Sequence, residues 1–179
     1  MIETGRLRLR PCVEADKPAF ATILNTPAMM AELGGVRGRD AIDALVDKRI
    51  ADQARHGFSY WAVEERGTGA LIGTCGIRIA GNYPGTPVEG MHEMGWRIAE
   101  THWGRGYATE AARATLDWAW RTLAVSIVAA WTTAGNRKSW RVMERLGMTR
   151  TPALDFVRPG YAANDPLGAM WVYTIARPS

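Results

Sequence analysis

The chain has 179 residues, 47% hydrophobic and 22% charged, with a net charge of +4 and a pI of about 9.4. That length supports one domain with a real core, and the mix is that of a soluble globular protein. The charge tolerates an anionic ligand but is too mild to argue nucleic acid, no apolar run reaches membrane-spanning length, no signal-peptide core opens the chain, and Cys12 and Cys75 match neither a metal spacing nor a disulfide framework.

Arg6 to Arg10 alternates Leu with Arg, the pattern of a half-buried strand that Pro11 ends. Glu14 to Leu24 places Ala15, Phe20, Ile23 and Leu24 at roughly helical spacing, and Asn25-Thr26-Pro27 breaks the helix. Ala28 to Gly38 reads as loop-like around Gly34-Gly35. Asp40 is the expected cap of an amphipathic helix running to about His56, with Gly57 as its C-terminal cap. Ser59 to Glu65 and Ala70 to Ala80 form a hairpin around Arg66-Gly67-Thr68-Gly69. Gly81 to Gly90, with two prolines and three glycines, is an exposed loop of the length that often carries function. Met91 to Ile98 is the next strand, followed by a helix over Ala108 to Leu123 with a face of small residues. Val125 to Thr133 is a near-continuous apolar strand. Asn136 to Leu146 is a helix ended by Gly147, and Met148 to Val157 and Met170 to Ala176 are two closing strands. The order describes an α/β (α+β) domain of about seven strands and four helices around a mixed, mostly antiparallel sheet.

The stretch from Met94 to Ala112 organises the rest. A strand leads into a short loop with Gly104 and Gly106, and a helix starts at once. The first amides of a helix lack intrahelical partners and carry partial positive charge, glycines let backbone approach a ligand, and Arg105 adds a cation. Phosphate or pyrophosphate is the natural guest. A plain strand-to-helix turn that needs its glycines only for geometry gives the same pattern. The spacing is neither that of a P-loop nor Gly-x-Gly-x-x-Gly.

Trp103-Gly104-Arg105-Gly106-Tyr107-Ala108 resembles motif A of the GCN5-related N-acetyltransferases (GNAT), Arg/Gln-x-x-Gly-x-Gly/Ala, with Trp103 departing at the first position. That loop continued through Thr109-Glu110-Ala111, and the opening Thr4-Gly5-Arg6-Leu7-Arg8-Leu9-Arg10-Pro11, look like the RimJ/RimL-type subfamily. The resemblance covers nearly the whole chain. It implies a single GNAT domain over 1–179 whose fourth and fifth strands splay apart. It also implies acetyl-CoA as cosubstrate, its pyrophosphate on the amides of Trp103 to Thr109 and its pantetheine arm along Gly95-Trp96-Arg97-Ile98. Asn136-x-x-Ser139-x-x-x-Met143-Glu144-x-Leu146-Gly147-Met148 looks like the family segment whose Asn binds pantetheine and whose Ser sits near the sulfur. There the usual tyrosine acid is replaced by Met143.

Acetyl transfer to an amine needs a base, a donor for the leaving thiolate, and no metal. The resemblance makes Glu93 the base, against a salt-bridged strand glutamate, and Ser139 the thiolate donor, against a helix-start serine that only satisfies amides. His92 should face the opposite side of its strand from Glu93. Arg158 stands where some relatives carry a histidine. The expected activity is N-acetylation of a primary amine, on a protein N-terminus or a small molecule, in a cytoplasmic protein that the family pattern would make a homodimer. The alternative is a CoA-binding sensor or scaffold without catalysis.

Overall fold

Leu7 and Leu9 are fully buried and Arg8 is exposed, so the Leu/Arg alternation folds as a half-buried strand. The computed structural model describes residues 1–178. Among them the order is β1 (Ile2–Glu3), β2 (Leu7–Arg10), α1 (Lys17–Ile23), α2 (Pro27–Met30), α3 (Arg39–His56), β3 (Tyr60–Glu65), β4 (Leu71–Ile79), β5 (His92–Ile98), α4 (Tyr107–Thr122), β6 (Ile127–Thr133), α5 (Arg137–Arg145), β7 (Thr149–Arg150), β8 (Phe156–Val157) and β9 (Ala169–Ala176). The sheet runs β1-β2-β3-β4-β5-β6-β9-β7, with β8 on β9. Only β5 and β6 pair parallel, so the sheet is mixed and mostly antiparallel as expected.

Among the described residues the expected seven strands and four helices become nine and five, for local reasons. β1 is two residues long, too short for alternation to show. Pro152 opens a 3₁₀ turn over Pro152–Leu154, which divides the expected strand Met148 to Val157 into β7 and β8. Residues 27–33 are helical rather than loop-like: the Thr26 hydroxyl accepts from the Met29 amide, and Gly34 ends the turn at φ 91°. α3 starts one residue before Asp40, with Gly38 at its N-cap, so Asp40 lies in the first turn instead of capping it. Gly57, at φ 79°, ends α3 as expected. The near-continuous apolar strand expected from Val125 begins instead at Ile127, itself 45% exposed, and from Val128 to Thr133 it is buried on both faces except at the half-buried Trp131.

Both faces of the sheet are covered. α4 lays Ala111, Ala112, Thr115 and Ala119, all fully buried, against β4 and β5. Such small side chains let the helix axis lie close to the strands. α1 and α3 cover the other face with Phe20, Leu24, Ile42 and Val46 against Ala62. The 81–90 loop is not wholly exposed: Val88 is fully buried with Ala129, Phe156, Met170 and Val172.

Candidate active site

β5 is the axis of the site. Successive side chains point to opposite faces. Met94, Trp96 and Ile98 join the core beneath α4, while Glu93, Gly95 and Arg97 take the other face. Across the ladder to β4 they stand opposite Arg78, Gly76 and Thr74. On its other edge β5 meets β6 at a single register pair, Glu93 with Ala129. A cavity of about 860 Å³ is lined by Glu93 to Ile98 of β5, by Trp131 and Thr132 of β6, and by the starts of α4 and α5. The expected splay of the fourth and fifth strands is therefore present, between β5 and β6.

The glycine loop closes one end. Gly104 and Gly106 have φ of 76° and 79°, a left-handed conformation that strains any residue with a Cβ. Gly106 is the N-cap of α4, and no side chain caps that helix. The amides of Tyr107, Ala108 and Thr109 lie in its first turn beside the cavity. A clasp from the chain's opening holds the loop. The Thr4 hydroxyl donates to Glu110 at 2.6 Å, and Arg6 Nε donates to Glu110 at 2.7 Å. Arg6 also donates to the Arg105 carbonyl at 3.0 Å and lies 4.4 Å above the Tyr107 ring. Trp103 Nε1 donates to the Ile98 carbonyl at 2.6 Å, and Lys138 Nζ sits 3.8 Å over the Trp103 ring. That cation–π contact joins the loop to the start of α5.

Asn136 caps α5 by accepting the Ser139 amide at 3.2 Å, and it donates to the Thr132 hydroxyl at 2.9 Å. Asn136 and Ser139 both line the cavity. Met143 lines it too, with 1% of its surface exposed, and offers no proton.

Glu93 is 8% exposed, and its Oε2 accepts from Arg78 Nε at 2.6 Å. Among the described residues its Oε1 has no protein partner. The Tyr60 phenol, over Gly95, is buried without a hydrogen-bond partner. Burial, and after it the Glu93 carboxylate, pushes that phenol well up from its ordinary value. Gly95 is needed here: a Cβ would meet the Tyr60 hydroxyl at 2.6 Å. His92 is absent from the lining and stacks on Phe58 at 5.8 Å, in keeping with the opposite face, and burial lowers its pKa.

Of the residues singled out from sequence, Glu93, Gly95, Trp96, Arg97, Ile98, Trp103, Gly104, Gly106, Tyr107, Ala108, Thr109, Asn136 and Ser139 gather on this cavity. Arg105 does not line it; its side chain is exposed and its carbonyl is held by Arg6. Arg158, half-buried, lines the cavity wall with its guanidinium 5.0 Å from the Tyr161 ring. The sequence reading missed Tyr60, Arg78 and Arg49. Arg49 carried one readable signal: it follows Ile42 and Val46 on the buried stripe of α3.

The fold has counterparts among known proteins. Residues 6–149 match the family model for the acetyltransferase (GNAT) domain. The chain is 34% identical to the uncharacterized protein YkkB of Bacillus subtilis over 146 residues, 81% of this chain and 83% of that one. The acetyltransferase of Agrobacterium tumefaciens superposes with a TM-score of 0.77 at 32% identity, covering 97% and 92% of the two chains. The spermidine N-acetyltransferase of Vibrio cholerae, solved with CoA and spermine, shares the fold at a TM-score of 0.73 and 19% identity over 97% of each chain.

Proposed function

From the premise that the chain belongs to the GNAT acetyltransferase family, we propose that it is a single-domain, RimJ/RimL-like, cytoplasmic enzyme that moves acetyl from acetyl-CoA to a primary amine within a ternary complex. The uncapped start of α4 carries this reading, with left-handed Gly104 and Gly106 at the mouth of the β5–β6 opening. Free amides and the helix dipole suit a pyrophosphate. Arg137, Lys138, Arg141 and Arg145 bring cations to the same cavity. The opening beside Gly95 to Ile98 suits an extended pantetheine arm.

Acetyl-CoA, when bound, supplies the acyl group as a thioester. Glu93 takes the proton of the attacking amine on Oε1, directly or through one water, while Arg78 holds Oε2. The Ser139 hydroxyl, beside the capping Asn136, donates a hydrogen bond to the departing thiolate, which takes its proton from solvent while Glu93 releases the amine proton there. Holding both reactants supplies much of the rate, up to roughly 7–11 kcal/mol in well-aligned cases. An α-amine, with a pKa of roughly 7.7–8.0 against about 10.4 for lysine, needs less from a single carboxylate. This favours a protein N-terminus or a small amine over a lysine side chain.

Titration calorimetry with acetyl-CoA tests the reading. Wild type should bind, and Gly106→Trp, which puts a bulky side chain on a left-handed backbone at the loop, should lose binding. No binding by folded wild type would sink the proposal. Binding without turnover of any amine would leave a CoA sensor or scaffold.

A further inference from the structure

The floor of the cavity beyond Glu93 is built of guanidinium groups with too few anions to match. Arg97 stands on β5 directly opposite Thr74 of β4, and Arg49 of α3 donates to the Thr74 hydroxyl at 3.0 Å. Arg49 and Arg97 therefore meet at one point of the sheet. Arg78 lies two rows away, spent on Glu93. Arg49 is 5% exposed, and its Nε is buried without a partner. Its flat face lies 4.9 Å from the Phe20 ring, and among the described residues the Thr74 hydroxyl is the one hydrogen-bond partner of its donor edge. The contact of Arg97 is with the Met30 sulfur at 3.9 Å, a weak acceptor. Among the described residues, no carboxylate pairs with either arginine. Buried charges are costly unless paired, so two adjacent unpaired guanidiniums facing a cavity point to an anion that arrives from outside.

That anion is not part of the phosphate-binding end. α4 packs on the Met94, Trp96 and Ile98 face of β5, and Arg97 takes the other. The carboxylates of the cavity are also occupied. Glu93 pairs with Arg78, Asp52 with Lys48, and Glu32 accepts from the Thr133 hydroxyl. Nine lysines and arginines line the cavity against these three acids, so a polycationic acceptor would meet like charge.

We propose that the acceptor is a small amine bearing its own anionic group, a carboxylate or a phosphonate, seated on Arg49 and Arg97 with its amine turned toward Glu93. The proposal rests on the acetyltransferase reading above. Guanidinium forks match both anions bidentately. Tyr60, between the two ends, offers its unpartnered hydroxyl to the bound molecule.

The test is a panel of acceptors with acetyl-CoA: ω-amino carboxylates of graded chain length, the matching aminoalkylphosphonates, the matching plain alkylamines, spermidine, and short peptides with acidic N-termini. Wild type should favour an anionic amine over its plain alkylamine by at least about tenfold in kcat/KM. The carboxylate and phosphonate arms then identify the anion. Arg49→Met and Arg97→Gln should each pull that ratio toward one, and Arg49→Lys should retain part of it. Because the ratio is taken within each variant, partial loss of folded protein does not distort it, and the wild-type panel stands if a variant fails to fold. Preference for alkylamines, spermidine or peptides, or a ratio that both arginine variants leave intact, overturns the proposal. Calorimetry separates the two levels: failure to bind acetyl-CoA removes the acetyltransferase reading, whereas binding with turnover of uncharged amines removes only the anionic acceptor.

Discussion

Glu93 and Arg97 share one face of one strand, and their surroundings set different tasks. Glu93 has one oxygen fixed by Arg78 and one open to the cavity. Glu93→Gln keeps an acceptor for Arg78 but removes the base. Steady-state kinetics should show kcat/KM falling roughly 10²–10⁴-fold, the range general-base catalysis supplies, with the smaller loss for amines already neutral at the assay pH. An unchanged kcat/KM would assign the proton to solvent. Arg97 is held in the opposite sense. Burial first, then the charges of Arg49, Arg37 and Arg78 against the opposing influence of Tyr60, pulls its pKa down to about 9. The folded chain thus binds fewer protons here than the unfolded chain between about pH 9 and the ordinary arginine value. Charged Arg97 costs stability below pH 9, and the cost is relieved as pH rises through that window. Anion binding runs the other way, because it needs the cation. A simple alkyl carboxylate, which has no amine of its own to titrate, should bind by calorimetry at neutral pH and weaken about tenfold per pH unit above 9. Affinity flat through pH 10 would show that Arg97 is not the anion's partner.

At the scale of elements, the start of α4 depends on a segment a hundred residues away. Arg6 joins Glu110, the Arg105 carbonyl and the Tyr107 ring. Arg6 is 49% exposed, so its ion pair is worth little by itself. Arg6→Ala should cost about 1 kcal/mol in all, a fall of about 2–4 °C in Tm. The larger effect should be on ligand: acetyl-CoA affinity should drop several-fold because the loop loses its tether. Equal acetyl-CoA affinity in the variant would mean that the glycine loop holds its shape unaided. This long-range clasp could not be read from the opening segment, where Thr4 and Arg6 carry only a motif. Where one interaction range dominates, the chain was legible. Leu7 and Leu9 alternate, Gly57 and Gly147 end helices in left-handed conformation, and the small residues of α4 face the sheet. Ambiguity came where neighbours decide. Pro152 breaks one expected strand, and Thr26 turns an expected loop into a helix through one side-chain cap. The site was legible along β5, the glycine loop and α5, because those residues are contiguous. Arg49, Arg78 and Tyr60 join it only through strand register and the packing of α3, which no local pattern states.

Across the whole molecule the sheet is two half-sheets joined by a thin seam. β1 to β5 form continuous antiparallel ladders, and β6 to β9 form another. Between them stands the single Glu93–Ala129 pair, backed by α4 on one face and by the Trp103–Lys138 contact across the mouth. A sheet parted at its centre leaves strand edges without ladder partners, a weakness in a fold that otherwise pairs its backbone. The seam is also where the cosubstrate is proposed to lie, so ligand should stabilise the native state at its least supported place. Acetyl-CoA at a hundredfold excess over its Kd adds about 2.7 kcal/mol to the folded state. For a chain of this length that predicts a rise in Tm of about 5–10 °C by differential scanning calorimetry. The location of the effect separates this account from generic stabilisation. Amide hydrogen exchange should slow most at Gly95 to Ile98, at the first turn of α4 and at Trp131 to Thr133, and least in β1 and β2 at the far edge. A uniform slowing would mean that the halves already unfold as one unit without ligand. Slowing confined to the glycine loop would place the phosphates correctly but leave the β5–β6 opening without the pantetheine arm.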